Sequence, residues 1–187
     1  KTIDPHFTEI LQSQENHIKD IYYSKVMGEN TMAFSRPIAC KEHQGEHLVG
    51  TLVARINLDN SLYKLLSDRV GLGKTGETLI VNKDGYAISN LRWEDDAPLK
   101  FKISATPAIN AIQGKTGVII ENDYRDEMVV AAYTYIPKTG WGFVSKQDLY
   151  ELNQPIREML TNFIFLFLIA FVLIIIVVFF LSKSLSS

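Results

Sequence analysis

An α+β fold, with antiparallel sheet units followed by one membrane-spanning helix, is predicted by three observations on this 187-residue chain. Phe163 to Leu181 is an unbroken apolar run, FIFLFLIAFVLIIIVVFFL. Residues 77–148 alternate short β-prone segments with turns and hold a single helical stretch. The first seventy residues repeat the second half of that order.

In chain order, IKDIYYSKV, ENTMAFSRPI and GEHLVGTLVARI read as strands, followed by a helix from about Asp59 to Asp68. ETLIVN and YAISN, joined by KDG, predict a hairpin, because Asp-Gly supplies the positive φ of a tight primed turn. The loop LRWEDDAPLKFK leads to a short helix around Ser104 to Gln113. Ser104 or Thr106 is its candidate N-cap, Pro107 sits in its first turn and Gly114 ends it. GVIIEN, EMVVAAYTYIP and WGFVSKQ complete a five-stranded antiparallel unit, since the turns DYRD and KTG are too short for anything but antiparallel neighbours.

VARINL at Val53 to Leu58 parallels VSKQDL at Val144 to Leu149, each a strand ending in a basic residue, a capping Asn or Asp, and a helix with aliphatic residues. The first copy is therefore the closing half of a unit, and an upstream segment is expected to complete it. DLYELNQPIREML runs from the last strand into the apolar helix as a stalk, with Pro155 expected to weaken its middle. The apolar run itself covers about 28 Å at 1.5 Å per residue, close to the hydrocarbon thickness of a bilayer. It lies at the C-terminal end without a small-residue cleavage site, which excludes a secretory signal.

Composition narrows the function. Nineteen Lys+Arg stand against 21 Asp+Glu, a net charge of −2, so there is no basic field for nucleic acid. The single cysteine, Cys40, permits no intramolecular disulfide. Only Lys183 follows the apolar run and Arg157 precedes it, so flanking charge leaves the orientation undecided. The chain stops six residues past the helix while a large domain precedes it, so a longer parent protein is expected, and the large part is placed outside. No catalytic constellation is present: Cys40 has no evident base, and no carboxylate pair is placed by sequence near a nucleophile.

The segments GETLIVNKDGYAISNLRW, PLKFKISATPAINAIQGKTG and DYRDEMVVAAYTYIPKTGWGFVSKQDL, covering Gly76 to Leu149, resemble the double Cache sensor domains of bacterial and archaeal receptors. These domains are two PAS-like units outside the membrane. The resemblance implies that residues 1–70 are the closing part of the membrane-distal unit plus a connecting helix. It makes residues 71–149 the membrane-proximal unit, 150–162 a stalk, 163–181 the membrane span, and 182–187 (LSKSLSS from Leu181) the opening of a cytoplasmic HAMP linker. It further implies a long helix and a first span ahead of residue 1, a homodimer, a small-molecule ligand and a cell-membrane location with residues 1–162 extracytoplasmic. The output would be most often a histidine kinase, with a methyl-accepting chemotaxis receptor or a cyclic-di-GMP enzyme next. A membrane-tethered binding or spacer module without signalling is the rival of another class.

Family members that bind amino acids resemble one another in a Tyr-x-Asp on the first of these distal strands and an Asp near the end of the last. Tyr22 matches the tyrosine, whereas Ser24 and Arg55 stand at the acidic places. An arginine there repels an ammonium and attracts a carboxylate, so the expectation is an organic anion and not an amino acid. In the proximal unit Arg92 and Trp93, with Tyr124, Tyr133 and Tyr135, suit a pocket that pairs a carboxylate and stacks on it. The plainer alternative makes the aromatics core residues and pairs Arg92 with Glu94 or Asp95.

Other motifs carry less. GLGKTGET at 71–78 lacks the earlier glycine of a phosphate loop and precedes a strand, and GKTG recurs at 114–117 as a turn. Glu42, His43, Glu46 and His47 lack the HExxH spacing, and Glu94, Asp95 and Asp96 lack that of an EF-hand, so both read as solvated loops. Neither a metal nor a cofactor is expected.

Overall fold

The computed structural model describes residues 16–25, 27–42 and 45–185. β1 (His17–Ser24), β2 (Glu29–Glu42) and β3 (Gly45–Asn57) form an antiparallel sheet in that spatial order. Gly28 takes φ +71° in the turn between β1 and β2, a conformation that a side chain would strain, and its amide donates to the Ser24 carbonyl at 2.7 Å. A bulge interrupts the β1–β2 register between Lys19 and Tyr22.

After β3 the chain makes a π-helical turn, Asp59–Tyr63, and α1, Lys64–Leu66, which is shorter than the helix that the sequence predicts to Asp68. Two serines account for this. Ser61 donates its hydroxyl to the Asn57 carbonyl at 2.6 Å and Ser67 to that of Tyr63 at 2.7 Å, a back-bonding that competes with the regular helical ladder.

The second sheet holds β4 (Glu77–Val81), β5 (Gly117–Asn122), β6 (Met128–Ile136) and β7 (Trp141–Asp148) in the order β4-β7-β6-β5, all antiparallel. It has four ladder strands where five are expected. YAISN lies beside β4 only through an isolated bridge, Val81 to Ala87, because the Ser89 hydroxyl accepts the Ile80 amide at 3.0 Å in place of a backbone carbonyl. Its other side bonds to the following loop, with Ala87 donating to Phe101 and Ile103 to Gly85. The KDG turn also departs from the primed form: only Gly85 has positive φ, and the Asn82 side chain accepts the amides of Asp84 and Tyr86 instead.

α2 (Thr106–Ile112) packs across this sheet with Pro107 in its first turn. Its N-cap is Ala105, without a side-chain bond, and not Ser104 or Thr106. Contact with β7 is close enough that a Cβ at Gly142 would stand 2.8 Å from Ala111 and 2.9 Å from Val81. Leu79, Val81, Val129, Ala131 and Val144 form the core beneath α2. Ile80 points the other way, into a second cluster with Ile88 and Trp141 that takes in Ile21, Met32, Leu58 and Tyr63 from the first sheet and its exit. β4 is thus buried on both faces, which is why its Leu79, Ile80 and Val81 are apolar in succession and do not alternate with polar residues. Each large aliphatic side chain so buried stabilises the fold by about 1.5–3 kcal/mol. A hydrogen bond from Trp141 Nε1 to Asp20 Oδ1, 2.9 Å, adds a polar tie between the two units.

β7 passes into α3 (Leu149–Leu152) and, beyond Asn153, α4 (Gln154–Leu185). The interruption falls at Asn153, two residues ahead of Pro155. The proline occupies the first turn of α4, where its missing amide costs nothing. α4 is long and apolar enough to cross a membrane, and its apolar stretch is wholly unburied. Ser186 and Ser187, at the end of the segment expected to open a HAMP linker, lie outside the described residues.

Candidate functional site

Pairing register decides which distal side chains share a face. Lys19 and Arg55 both stand opposite Ala33, one from β1 and one from β3, so the three form a row across the sheet. Tyr22, Thr31 and Asn57 form the next row, and Ser24 faces Glu29 beyond it. With strands about 4.8 Å apart, the two cationic residues flank a buried alanine at a Cα separation of about 10 Å. Ala33 is only 1% exposed, and its small side chain leaves the floor of the row low. The Lys19 ammonium lies 4.2 Å from the centroid of the Tyr22 ring. Arg55 is exposed, and among the described residues no carboxylate pairs with it.

Ser24 is used locally. Its Oγ accepts the Met27 amide at 3.3 Å in the β1–β2 turn, and the residue is 5% exposed. Tyr22 and Arg55 therefore come together on one face, whereas the Ser24 hydroxyl is committed to the turn. Lys19 was not among the residues singled out from the sequence. Simple alternation puts Lys19 and Tyr22 on opposite faces, and only the bulge brings them to the same one.

The proximal candidates divide. Trp93 and Tyr124 belong to a buried ionic cluster formed by Glu77 on β4, Asp123 and Arg125 in the β5–β6 turn, and Lys146 and Asp148 on β7. Lys146 Nζ contacts Glu77 Oε2 at 2.9 Å and also Asp123. Arg125 bridges Asp123 Oδ2 at 2.7 Å and Asp148 Oδ1 at 2.5 Å. The Tyr124 hydroxyl donates to the Glu77 carboxylate at 2.9–3.0 Å, and the Arg92 amide donates to it at 2.6 Å. Trp93 covers the cluster, its ring 3.7 Å from the Arg125 guanidinium carbon and 5.0 Å from that of Arg92. The guanidinium of Arg92 donates to the Gly76 carbonyl at 3.2 Å and not to Glu94 or Asp95.

Burial alone would push the Asp123 carboxyl up, but the Lys146 ammonium and Arg125 guanidinium outweigh it and hold it below the usual range. Burial, with the Glu77 carboxylate beside it, raises the Tyr124 phenol. The cavity beside Glu77 and Arg92 is about 40 Å³, room for a water molecule and not for an organic ligand. Tyr133 and Tyr135 lie apart, at the opposite end of β6. The Tyr133 hydroxyl accepts from Asn110 Nδ2 at 3.4 Å and stands 2.9 Å from where a Cβ on Gly117 would be.

A carboxylate also ties the sheet to the stalk. Glu151 on α3 accepts the backbone amides of Lys74 at 2.6 Å and Thr75 at 2.8 Å, together with the Thr75 hydroxyl. These donors, the Lys74 amide first, hold its carboxyl down at about 2. The Thr75 hydroxyl also accepts the Asp148 amide at 3.1 Å. His43 and Gln44 of the KEHQGEH loop lie outside the described residues.

A family model for the Cache domain matches residues 5–156. The chain belongs to the Cache domain family. Solved structures agree on the fold. The Cache domain superposes with a TM-score of 0.60 on the extracellular domain of mmHK1S-Z3, a protein described as a histidine kinase, at 15% identity over 83% of this chain and 57% of that one. The periplasmic sensory domain of the Campylobacter jejuni chemoreceptor Tlp1 gives 0.58 at 16% identity, covering 79% and 56%. The ligand-binding domain of the Pseudomonas aeruginosa amino acid chemoreceptor PctC, in complex with GABA, gives 0.53 at 18% identity, covering 76% and 60%. The chain thus spans 56–60% of the length of these three structures. No curated protein matches it.

Proposed function

We propose that this Cache domain is the extracytoplasmic sensing part of a membrane receptor and that it takes a small organic anion, a mono- or dicarboxylate, across the Lys19–Ala33–Arg55 row. The row is the observation that carries the reading: two cations flank a low, buried floor, and an aromatic ring stands beside them. A carboxylate bridging them gains charge-assisted hydrogen bonds, of which the Arg55 fork supplies the more directional share. An α-ammonium group would meet like charge at both ends of the row. PctC binds GABA and belongs to the amino acid receptors. The present chain differs in offering Ser24 and Arg55 where the resemblance implies acidic residues.

Occupancy alone transmits nothing. The ligand must bind one arrangement of the units more tightly than another, and the Glu151 tie places α3, and through it α4, under the influence of the proximal sheet. We assign α4 as the membrane span, residues 1–162 to the outside, residues after the span to the cytoplasm, and a homodimer as the working assembly. The output is a histidine kinase or a methyl-accepting chemotaxis receptor, since neighbours of both kinds share the fold, with a cyclic-di-GMP enzyme as the less supported choice.

Calorimetric titration of the chain in detergent micelles with succinate, acetate, asparagine and GABA tests the ligand class. Succinate or acetate is expected to bind, and Arg55→Ala to weaken it about 10- to 150-fold, as loss of a hydrogen bond to a charged group implies. Tighter binding of asparagine or GABA, or an unchanged Arg55→Ala variant, would sink the proposal.

A further inference from the structure

Between the two units lies a cleft of about 700 Å³ that the anion row does not explain. Its walls come from three places: the β1–β2 corner with Tyr23, Glu29 and Asn30, the π-helical turn with Asp59 and Tyr63, and the proximal loop around Asp96. We propose that this cleft is a second binding site, specific for a small organic amine, at which one ligand touches both units at once.

Charge selects the class. Glu29, Asp59 and Asp96 line the cleft against a single cation, Lys100. Lys100 is already paired with Asp96 four residues earlier, so two carboxylates remain unneutralised. Glu29 takes only the Asn57 amide group, at 2.8 Å on one oxygen, and no described donor reaches the Asp59 carboxylate. Anions are therefore repelled from this cleft, while a protonated amine gains from both carboxylates. The exposed ring of Tyr23 at the rim gives such a cation a π-face.

A second observation points the same way. Tyr63 is only 5% exposed, yet its hydroxyl has no hydrogen-bond partner. Buried hydroxyls are almost always satisfied, and one that is not calls for an explanation. Tyr63 itself lines the cleft, together with Asn30 and Asp59, the two groups that act on its hydroxyl besides burial. Asn30 lies beside it without reaching hydrogen-bonding geometry. A turn of that amide side chain opens the hydroxyl to the cleft, where it accepts an N–H from the amine while the carboxylates take the charge. Such a ligand would hold the β1–β2 corner against the proximal loop and thereby favour one arrangement of the two units.

Titration of the whole chain in micelles with putrescine, followed by calorimetry at low and at physiological salt, tests the site. Saturable binding that weakens with salt is expected. Tyr63→Phe, which keeps the ring in its apolar setting, should raise the Kd about 2- to 10-fold, the loss of one hydrogen bond. Asp59→Asn, on the exposed side of the turn, should raise it about tenfold or more. Arg55→Ala should leave putrescine binding unchanged while weakening that of succinate, so the two sites fail or survive separately. Absence of saturable putrescine binding up to about 10 mM, or equal affinity in Tyr63→Phe and Asp59→Asn chains that melt like the parent, would overturn the assignment.

Discussion

The two sheets set their cations in different surroundings. In the proximal unit Lys146 and Arg125 are matched by Glu77, Asp123 and Asp148, every one within ion-pair distance and capped by Trp93. In the distal sheet Lys19 and Arg55 stand on either side of Ala33, and among the described residues no carboxylate pairs with Arg55. The first arrangement fills its own space and leaves only about 40 Å³ beside it. In the second, the Arg55 side chain is exposed. A cluster whose cations are all ion-paired fixes a structure, whereas the distal row is the one proposed to meet a ligand.

The largest expected effect of breaking this contrast is on the proximal side. Lys146→Met leaves Glu77 and Asp123 facing each other in a buried site, and removal of one partner from such a pair costs about 3–5 kcal/mol. Urea unfolding of the chain in micelles, followed by Trp93 and Trp141 fluorescence, should show this loss. A midpoint unchanged from the parent would mean that the cluster carries no stability.

Acid should act on the same cluster. The folded Asp123 carboxyl lies below its unfolded value of about 3.9, so its contribution is fully present above that pH and is lost as pH falls through the folded value. Stability is expected to hold steady from neutral pH down to about 5 and to decline below about 4. A decline that begins between pH 7 and 5 would assign the acid sensitivity to other groups.

A smaller, local change is expected at the junction. Glu151→Gln weakens the grip on the Lys74 and Thr75 amides without touching the core, so hydrogen exchange at those two amides should speed up while that of β6 and β7 stays slow. Equal exchange in both chains would remove the carboxylate from the coupling. Smallest of all should be the effect of Arg55→Ala on unfolding, within about 0.5 kcal/mol, because an exposed unpaired arginine contributes little to stability. A loss of 2 kcal/mol or more, by the same scale, would show a structural role for Arg55 and would weaken the contrast itself.

How legible these features were depends on whether they are local. β5, β6 and β7 followed from alternation and turn residues, since each strand's partner is its neighbour in sequence. Tyr22 and Arg55 were singled out through the family resemblance, and the pairing register sets them on one face in adjacent rows. YAISN failed as a ladder strand because one hydroxyl, that of Ser89, takes a carbonyl's place. Lys19 was hidden by a bulge that no residue in DIYY announces. The ionic cluster could not be read at all: Glu77, Asp123 and Lys146 look like ordinary surface charges, and only the closing of β4 against β7 brings them together. The Tyr63 hydroxyl was equally invisible, since an unmet hydrogen bond belongs to packing and not to a motif.

The break at Asn153 has a mechanical consequence. α3 is four residues long and held by Glu151, while α4 runs for 32 residues, about 48 Å at 1.5 Å each. The pair is a short crank on a long shaft. A tilt of about 5° at the joint would carry the far end of α4 sideways by about 4 Å, comparable to the rearrangements that switch receptors and larger than the displacement needed to start it. Leverage of this kind makes the position of one small pivot, set by the Lys74 and Thr75 amides, matter more to the far end of α4 than a change of equal size within the sheet.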